Sequence, residues 1–111
     1  MTKTARVYGG SLYDLAAEEK LDGQIMEQMI AVRQIFRENP GYLKLLGEPA
    51  IPEDERLKMI EEAFGGQAER YLVNFLKLLC ERKILREFAG CCEEFIRRYN
   101  LSLIHISEPT R

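Results

Sequence analysis

Apolar side chains recur at three- and four-residue steps along most of this chain, and alternation of apolar with polar residues is nearly absent, so the pattern predicts amphipathic helices. Six segments follow. The first spans about Thr4 to Lys20, with Ala5, Tyr8, Leu12, Leu15 and Ala16 as its stripe. The second begins at Asp22, a good capping residue, and carries Ile25, Met29, Val32, Ile35 and Phe36. It stops at Asn39, because Pro40 disfavours helical backbone in the residue before it. A short third turn holds Tyr42, Leu43, Leu45 and Leu46 and ends at Gly47. The fourth segment has the clearest punctuation. Pro52 suits the first helical position, Glu53, Asp54 and Glu55 complement the helix dipole, and Gly65-Gly66 supplies a left-handed exit, around a stripe of Leu57, Ile60 and Phe64. The fifth runs from about Gln67 to Arg82 and the sixth from about Leu85 to Tyr99, with Phe88, Cys92, Phe95 and Tyr99 on one face. Connections this short pack sequential helices roughly antiparallel, and the expected fold is an all-α, six-helix bundle in a single domain.

Helix five is more apolar than one core requires. Leu72, Phe75, Leu76 and Leu79 form a compact inward stripe, but Tyr71 and Leu78 widen it on one side and Val73 and Cys80 on the other. At about 100° per residue the apolar arc reaches roughly 220°. Such a helix is either central in the bundle or covered by something outside the domain, and a partner helix laid in a groove is a standard cover. Helix one shows a milder version, with Val7, Tyr8 and Ser11 at the edge of its stripe. It also carries Gly9-Gly10 in mid-helix, where glycine costs about 1 kcal/mol relative to alanine; the pair points to close backbone approach or to tolerated slack.

The segment Leu101 to Arg111 reads residue for residue as the translation of a widely used transposase-type library adaptor, which makes 1–100 the expected helical domain and 101–111 a non-native tail. Setting the tail aside removes His105, the single histidine, and takes the basic and acidic counts from 16 and 18 to 15 and 17, leaving the net charge at −2. That weak acidity gives no reason to expect nucleic acid, whose binding needs a concentrated basic face. No apolar run approaches the ~20 residues that span a bilayer, and Met1 to Arg6 opens on no apolar signal core, so neither membrane insertion nor export is expected.

Three cysteines, Cys80, Cys91 and Cys92, make no disulfide framework and suit a reducing compartment. The adjacent pair would form a strained ring if joined and lacks the partners of a tetrahedral metal site, so all three read as small buried apolar side chains. Glu18-Glu19, Glu53-Asp54-Glu55, Glu61-Glu62 and Glu93-Glu94 offer carboxylate pairs for an enzyme. Most lie on polar faces among Lys and Arg, with no histidine or phosphate loop beside them, and read as solvated surface. No catalytic, cofactor-binding or metal residue is therefore assigned.

Ala5-Arg6-Val7-Tyr8-Gly9-Gly10-Ser11-Leu12-Tyr13-Asp14-Leu15-Ala16 resembles the opening helix of the delta subunit of bacterial F-type ATP synthases, the counterpart of the mitochondrial oligomycin-sensitivity-conferring protein (OSCP). Later landmarks keep the family's order: Asn39-Pro40, Leu45-Leu46, Pro49-Ala50-Ile51-Pro52, Phe64-Gly65-Gly66 and Asn74-Phe75-Leu76-Lys77-Leu78-Leu79. The resemblance covers nearly all of residues 4–100. It implies a non-catalytic peripheral-stalk, or stator, subunit at the cytoplasmic face of the cell membrane, whose six-helix amino-terminal domain holds the amino-terminal helices of alpha subunits. A carboxy-terminal domain, which grips the b-subunit stalk in the family, would follow Asn100. Carried over residue by residue, the alpha-subunit groove lies between helices one and five at Tyr8 and Ser11 against Phe75 and Leu78. One departure stands out. The family commonly has Asn-Gly-Arg between helices five and six, where this chain has Arg82-Lys83-Ile84, so a softer turn with the helices running on locally is expected there. The alternative is a generic helical protein-interaction adaptor, which would share the bundle but not the order of landmarks.

Overall fold

The computed structural model describes residues 2–107, and side-chain surroundings as far as Leu103. The helices are α1 (Lys3–Glu18), α2 (Asp22–Glu38), α3 (Pro40–Leu46), α4 (Glu53–Phe64), α5 (Arg70–Glu81) and α6 (Phe88–Ser107), with a 3-10 turn at Leu85–Glu87 leading into the last; no strand occurs among the described residues. The core draws Leu12 and Ala16 from α1, Ile25, Met29 and Val32 from α2, Ile60 from α4, and Leu72, Leu76 and Leu79 from α5, all close to fully buried. Phe36 sits in an aromatic cluster, its ring meeting Phe88 and Phe64 edge-on at centroid distances of 5.7 and 6.3 Å.

α1 starts where the Thr2 hydroxyl accepts the Ala5 N–H at 3.0 Å, and the same hydroxyl donates to Glu87 Oε1 at 2.7 Å, tying the helix start to the 3-10 turn. Its middle lies directly on α6. A Cβ placed on Gly9 would stand 2.5 Å from the Cys91 carbonyl oxygen and 3.0 Å from Cys91 Cα, so the glycine is what lets the two backbones touch. Gly10 is covered instead by the Arg98 guanidinium.

Several expectations need correction. Pro52 precedes α4 as its cap, and the chain leaves that helix without a left-handed residue. Gly65 keeps φ −60°, and a further turn follows in which the Gln67 and Ala68 N–H groups both donate to the Phe64 carbonyl, so α5 begins at Arg70. No glycine among the described residues has positive φ. The left-handed positions are Lys20 and Lys83, each at φ 61°. Both close the same six-residue C-terminal motif: Leu21 N–H to Ala16 O at 2.7 Å with Lys20 N–H to Ala17 O at 3.1 Å, and Ile84 N–H to Leu79 O at 2.9 Å with Lys83 N–H to Cys80 O at 3.0 Å. The turn after α5 is therefore sharp despite its missing glycine. At the other end, α6 passes the expected stop at Tyr99 and runs to Ser107, with Leu101 and Leu103 about half exposed. Glu108–Arg111, the remainder of the expected tail, lies outside the described residues.

Glu94 is not solvated surface. It is 1% exposed, and Arg97 and Arg98, one turn further along α6, fold over it with donor distances of 2.6–3.0 Å; Arg98 also reaches Asp14 of α1 at 3.7 Å. Hydrogen bonding from Arg97 leads the forces that hold its carboxyl down at about 2, against the cost of burial. Arg56 is buried as well, its guanidinium donating to the Ile51 and Leu46 carbonyls at 3.1 and 3.3 Å and so satisfying the end of α3.

Candidate partner-binding groove

α1 and α5 form the walls of an open groove of about 320 Å³. From α1 come Tyr8, Ser11, Leu12 and Leu15; from α5 come Tyr71, Asn74, Phe75 and Leu78. Each set follows the i, i+3, i+4, i+7 spacing of a single helical face, so two regular faces look at one another across the opening. Leu12 and Phe75 form the floor at 4% and 7% exposure, Tyr8, Tyr71 and Leu78 are half-buried flanks, and Ser11, Leu15 and Asn74 stand at the exposed edge.

The structure thus brings together all four residues named from sequence: Tyr8, Ser11, Phe75 and Leu78. Leu12 keeps its place in the core stripe at 4% exposure, whereas Leu15, expected in the same stripe, turns outward at 36% exposure. Periodicity marks Tyr71 only as an arc edge and Asn74 belongs to a family landmark; its i+3 offset from Tyr71 is the signal that puts it on the same face. The wide apolar arc of α5 resolves into two different halves. Val73 and Cys80 are sealed inside the bundle at 0% and 1% exposure, whereas Tyr71 and Leu78 remain at the groove.

Among the described residues no charged side chain lines this groove. Its polar groups are two phenols, a hydroxyl and an amide, which can orient a ligand by hydrogen bonds while the floor buries apolar surface. That is chemistry for holding a helix, with few anchors at fixed spacing. The cysteines lie elsewhere. Cys80, Cys91 and Cys92 are all buried and free, and desolvation pushes the Cys91 thiol up to about 12 and raises the other two. Among the described residues no three His, Cys, Asp or Glu side chains are grouped as a metal ion would need, and no helix is long and apolar enough to cross a membrane.

The family model of the ATP synthase delta (OSCP) subunit matches residues 4–105, from the first turn of α1 into the last turns of α6. The chain belongs to that family. It is 28% identical to the ATP synthase subunit delta of Lachnoclostridium phytofermentans over 96% of this chain and 64% of that protein. It is 33% identical to the one from a Geobacillus species over 86% and 53%, and 28% identical to the one from Bacillus subtilis over 86% and 52%. The chain spans between about half and two-thirds of the length of these delta-family relatives.

Proposed function

We propose that this chain is the amino-terminal helical domain of a non-catalytic peripheral-stalk subunit of an F-type ATP synthase, and that the groove between α1 and α5 receives the amino-terminal helix of an alpha subunit. The observation that carries the reading is the convergence of Tyr8, Ser11, Phe75 and Leu78 on one open, uncharged groove in a member of the delta family. Membership in that family also favours this reading over a generic interaction adaptor. In the assembled complex the domain would act as a stator: rotor torque on the catalytic headpiece must be resisted if ion flow is to drive synthesis. A carboxy-terminal domain beyond this chain would meet the b-subunit stalk, and attachment at the cytoplasmic face of the cell membrane would come through those partners. Affinity in such a contact comes from buried apolar anchors, at roughly 25 cal/mol per Å² before association costs.

The test separates groove from core on adjacent residues. Leu78→Asp places a carboxylate at the half-buried groove edge and should leave the fold intact while abolishing binding of a labelled alpha-subunit amino-terminal peptide. Leu79, at 0% exposure, should not tolerate the same change, because an unpaired charge would enter the core. Tyr8→Ala, on the opposite wall, should weaken the peptide by about 2 kcal/mol, as truncation of a buried aromatic anchor commonly does. Fluorescence titration with circular dichroism alongside reads all three. Should Leu78→Asp fold and still bind the peptide at wild-type affinity, the groove is not the alpha-subunit site.

A further inference from the structure

α1 touches α6 on the side that faces away from the groove. At about 100° per residue, Gly9, Gly10, Tyr13 and Asp14 fall roughly opposite the face that carries Tyr8, Ser11, Leu12 and Leu15. Each of the four meets a particular group of α6. The Gly9 backbone lies against the Cys91 carbonyl, the Tyr13 ring meets Phe95 edge-on at a centroid distance of 5.3 Å, and Gly10 and Asp14 both meet Arg98. One wall of the groove is thus held from behind.

Arg98 is fixed on three sides. Its Nε donates to Glu94 Oε2 at 2.6 Å, its Nη1 stands 3.7 Å from Asp14 Oδ1, and its guanidinium carbon and Nη2 would lie 2.7 Å from a Cβ on Gly10. Glycine in mid-helix disfavours the helix, and here the guanidinium rests where a side chain would begin. Glu94, at 1% exposure, is shared by two arginines that do different things. Arg97 gives it two hydrogen bonds, at 3.0 and 2.8 Å, but its own side chain is half exposed and among the described residues it pairs with no carboxylate of α1. Only Arg98 spans from the buried carboxylate to the neighbouring helix.

We propose that Arg98 is a positioning residue for the groove: anchored by Glu94 and seated on Gly10, it fixes the rotation of α1 about its own axis. The inference rests on the reading that the groove receives an alpha-subunit helix, and it adds a residue that does not touch that ligand. Packing at Gly9 and Tyr13 sets how close α1 comes to α6, and contacts of that kind tolerate a small roll. Charged hydrogen bonds are directional and do not. A roll of α1 would carry Tyr8 and Ser11 away from their places opposite Phe75 and Leu78, and a helical ligand presents its anchors at fixed spacing.

The test uses the chain of residues 1–111 in two arms. In the first, spin labels on Ser11→Cys and Asn74→Cys, at the two exposed edges of the groove, report the separation of α1 and α5 by pulsed electron paramagnetic resonance with no ligand present; the native thiols are buried. In the second, a fluorescent alpha-subunit amino-terminal peptide is titrated into the chain without spin labels. Arg98→Met should broaden or displace the distance distribution and weaken the peptide about fivefold, an effect of the size expected from a change that does not contact the ligand. Arg97→Met should leave both readings as in the parent. Each variant keeps one arginine on Glu94, so the buried carboxylate stays paired. Gly10→Ala pushes the guanidinium off its seat without altering charge and should reproduce Arg98→Met; it carries the test if circular dichroism shows that Arg98→Met does not fold. Equal effects of Arg97→Met and Arg98→Met overturn the proposal, because both residues would then be no more than partners of Glu94. So does a folded Arg98→Met in which the distance is unchanged or a peptide that binds the parent is held just as tightly. A parent chain that fails to bind the peptide counts against the alpha-subunit reading, and the distance arm still decides the role of Arg98.

Discussion

Gly9→Ala should destabilise this domain, against the ordinary rule for helix interiors. Alanine in place of glycine there gains about 1 kcal/mol from backbone entropy and propensity. Here the added Cβ would sit 2.5 Å from the Cys91 oxygen, 3.0 Å from its Cα and 3.1 Å from its carbonyl carbon, where ordinary contact begins at 3.4 Å. All three atoms are backbone, so no rotamer change relieves them. α1 and α6 would have to separate by most of an ångström, loosening Leu12 and Ala16, which are buried on α1. Over-packing costs typically about 1–3 kcal/mol, and backbone obstruction puts this case at the upper end, leaving a net loss of about 2 kcal/mol. For a domain of this size that lowers Tm by roughly 10 °C. Gly41→Ala is the internal control, since nothing lies within 4 Å of its added Cβ and only the propensity gain remains. Urea denaturation followed by circular dichroism measures both. A Gly9→Ala protein as stable as the parent would show that α1 and α6 do not touch through their backbones.

Acid should weaken the fold in a defined window. The Glu94 and Glu61 carboxyls are held from the ordinary 4.5 down to about 2, by Arg97 with Arg98 and by Arg70 with Lys77 respectively. A folded-state value below the unfolded one gives stability that is complete above about pH 4.5 and lost as pH falls towards 2; denaturation midpoints across that range should decline, and less so in Glu94→Gln. Lys83→Gly should raise stability by roughly 0.5–1 kcal/mol in the same urea assay, because glycine takes φ 61° without the Cβ penalty; an unchanged or lower midpoint would contradict the left-handed assignment. The buried thiols should resist a disulfide reagent at pH 8 until the chain unfolds, and rapid labelling of the native protein would contradict their burial.

Much of this architecture was legible because helical burial repeats locally. The stripes of α2 and α5 could be read at i, i+3, i+4 spacing, and Pro40 and Gly47 bracketed α3. The four groove residues come from a family resemblance, and periodicity alone marks three of them, Tyr8, Ser11 and Leu78, as edges. What stayed hidden depends on distant partners. Glu94 reads as surface until its two arginines are seen to close over it. Nothing in the sequence singles out Arg56, whose burial depends on the Ile51 and Leu46 carbonyls that the fold places beside it. The left-handed exits fell on lysines, where residue preference pointed to glycine, because a helix end is decided by where its last carbonyls find donors. The groove itself could not be counted from one helix, since whether Val73 or Leu78 is covered depends on where α1 comes to rest.

The contact at Gly9 has a mechanical side. Interfaces made of side chains alone can creep, since rotamers shift and neighbours refill the space. Where one main chain rests on another there is no such slack, and the pair moves as a single beam. A pull on any ligand seated between α1 and α5 would therefore load α1 along its length, pass through Gly9 into Cys91 as shear, and leave along the axis of α6. Sliding two helices past each other must disrupt many close contacts at once, whereas peeling breaks them in turn, so the close approach that the missing methyl group at residue 9 permits adds to the drag this small bundle withstands before it yields.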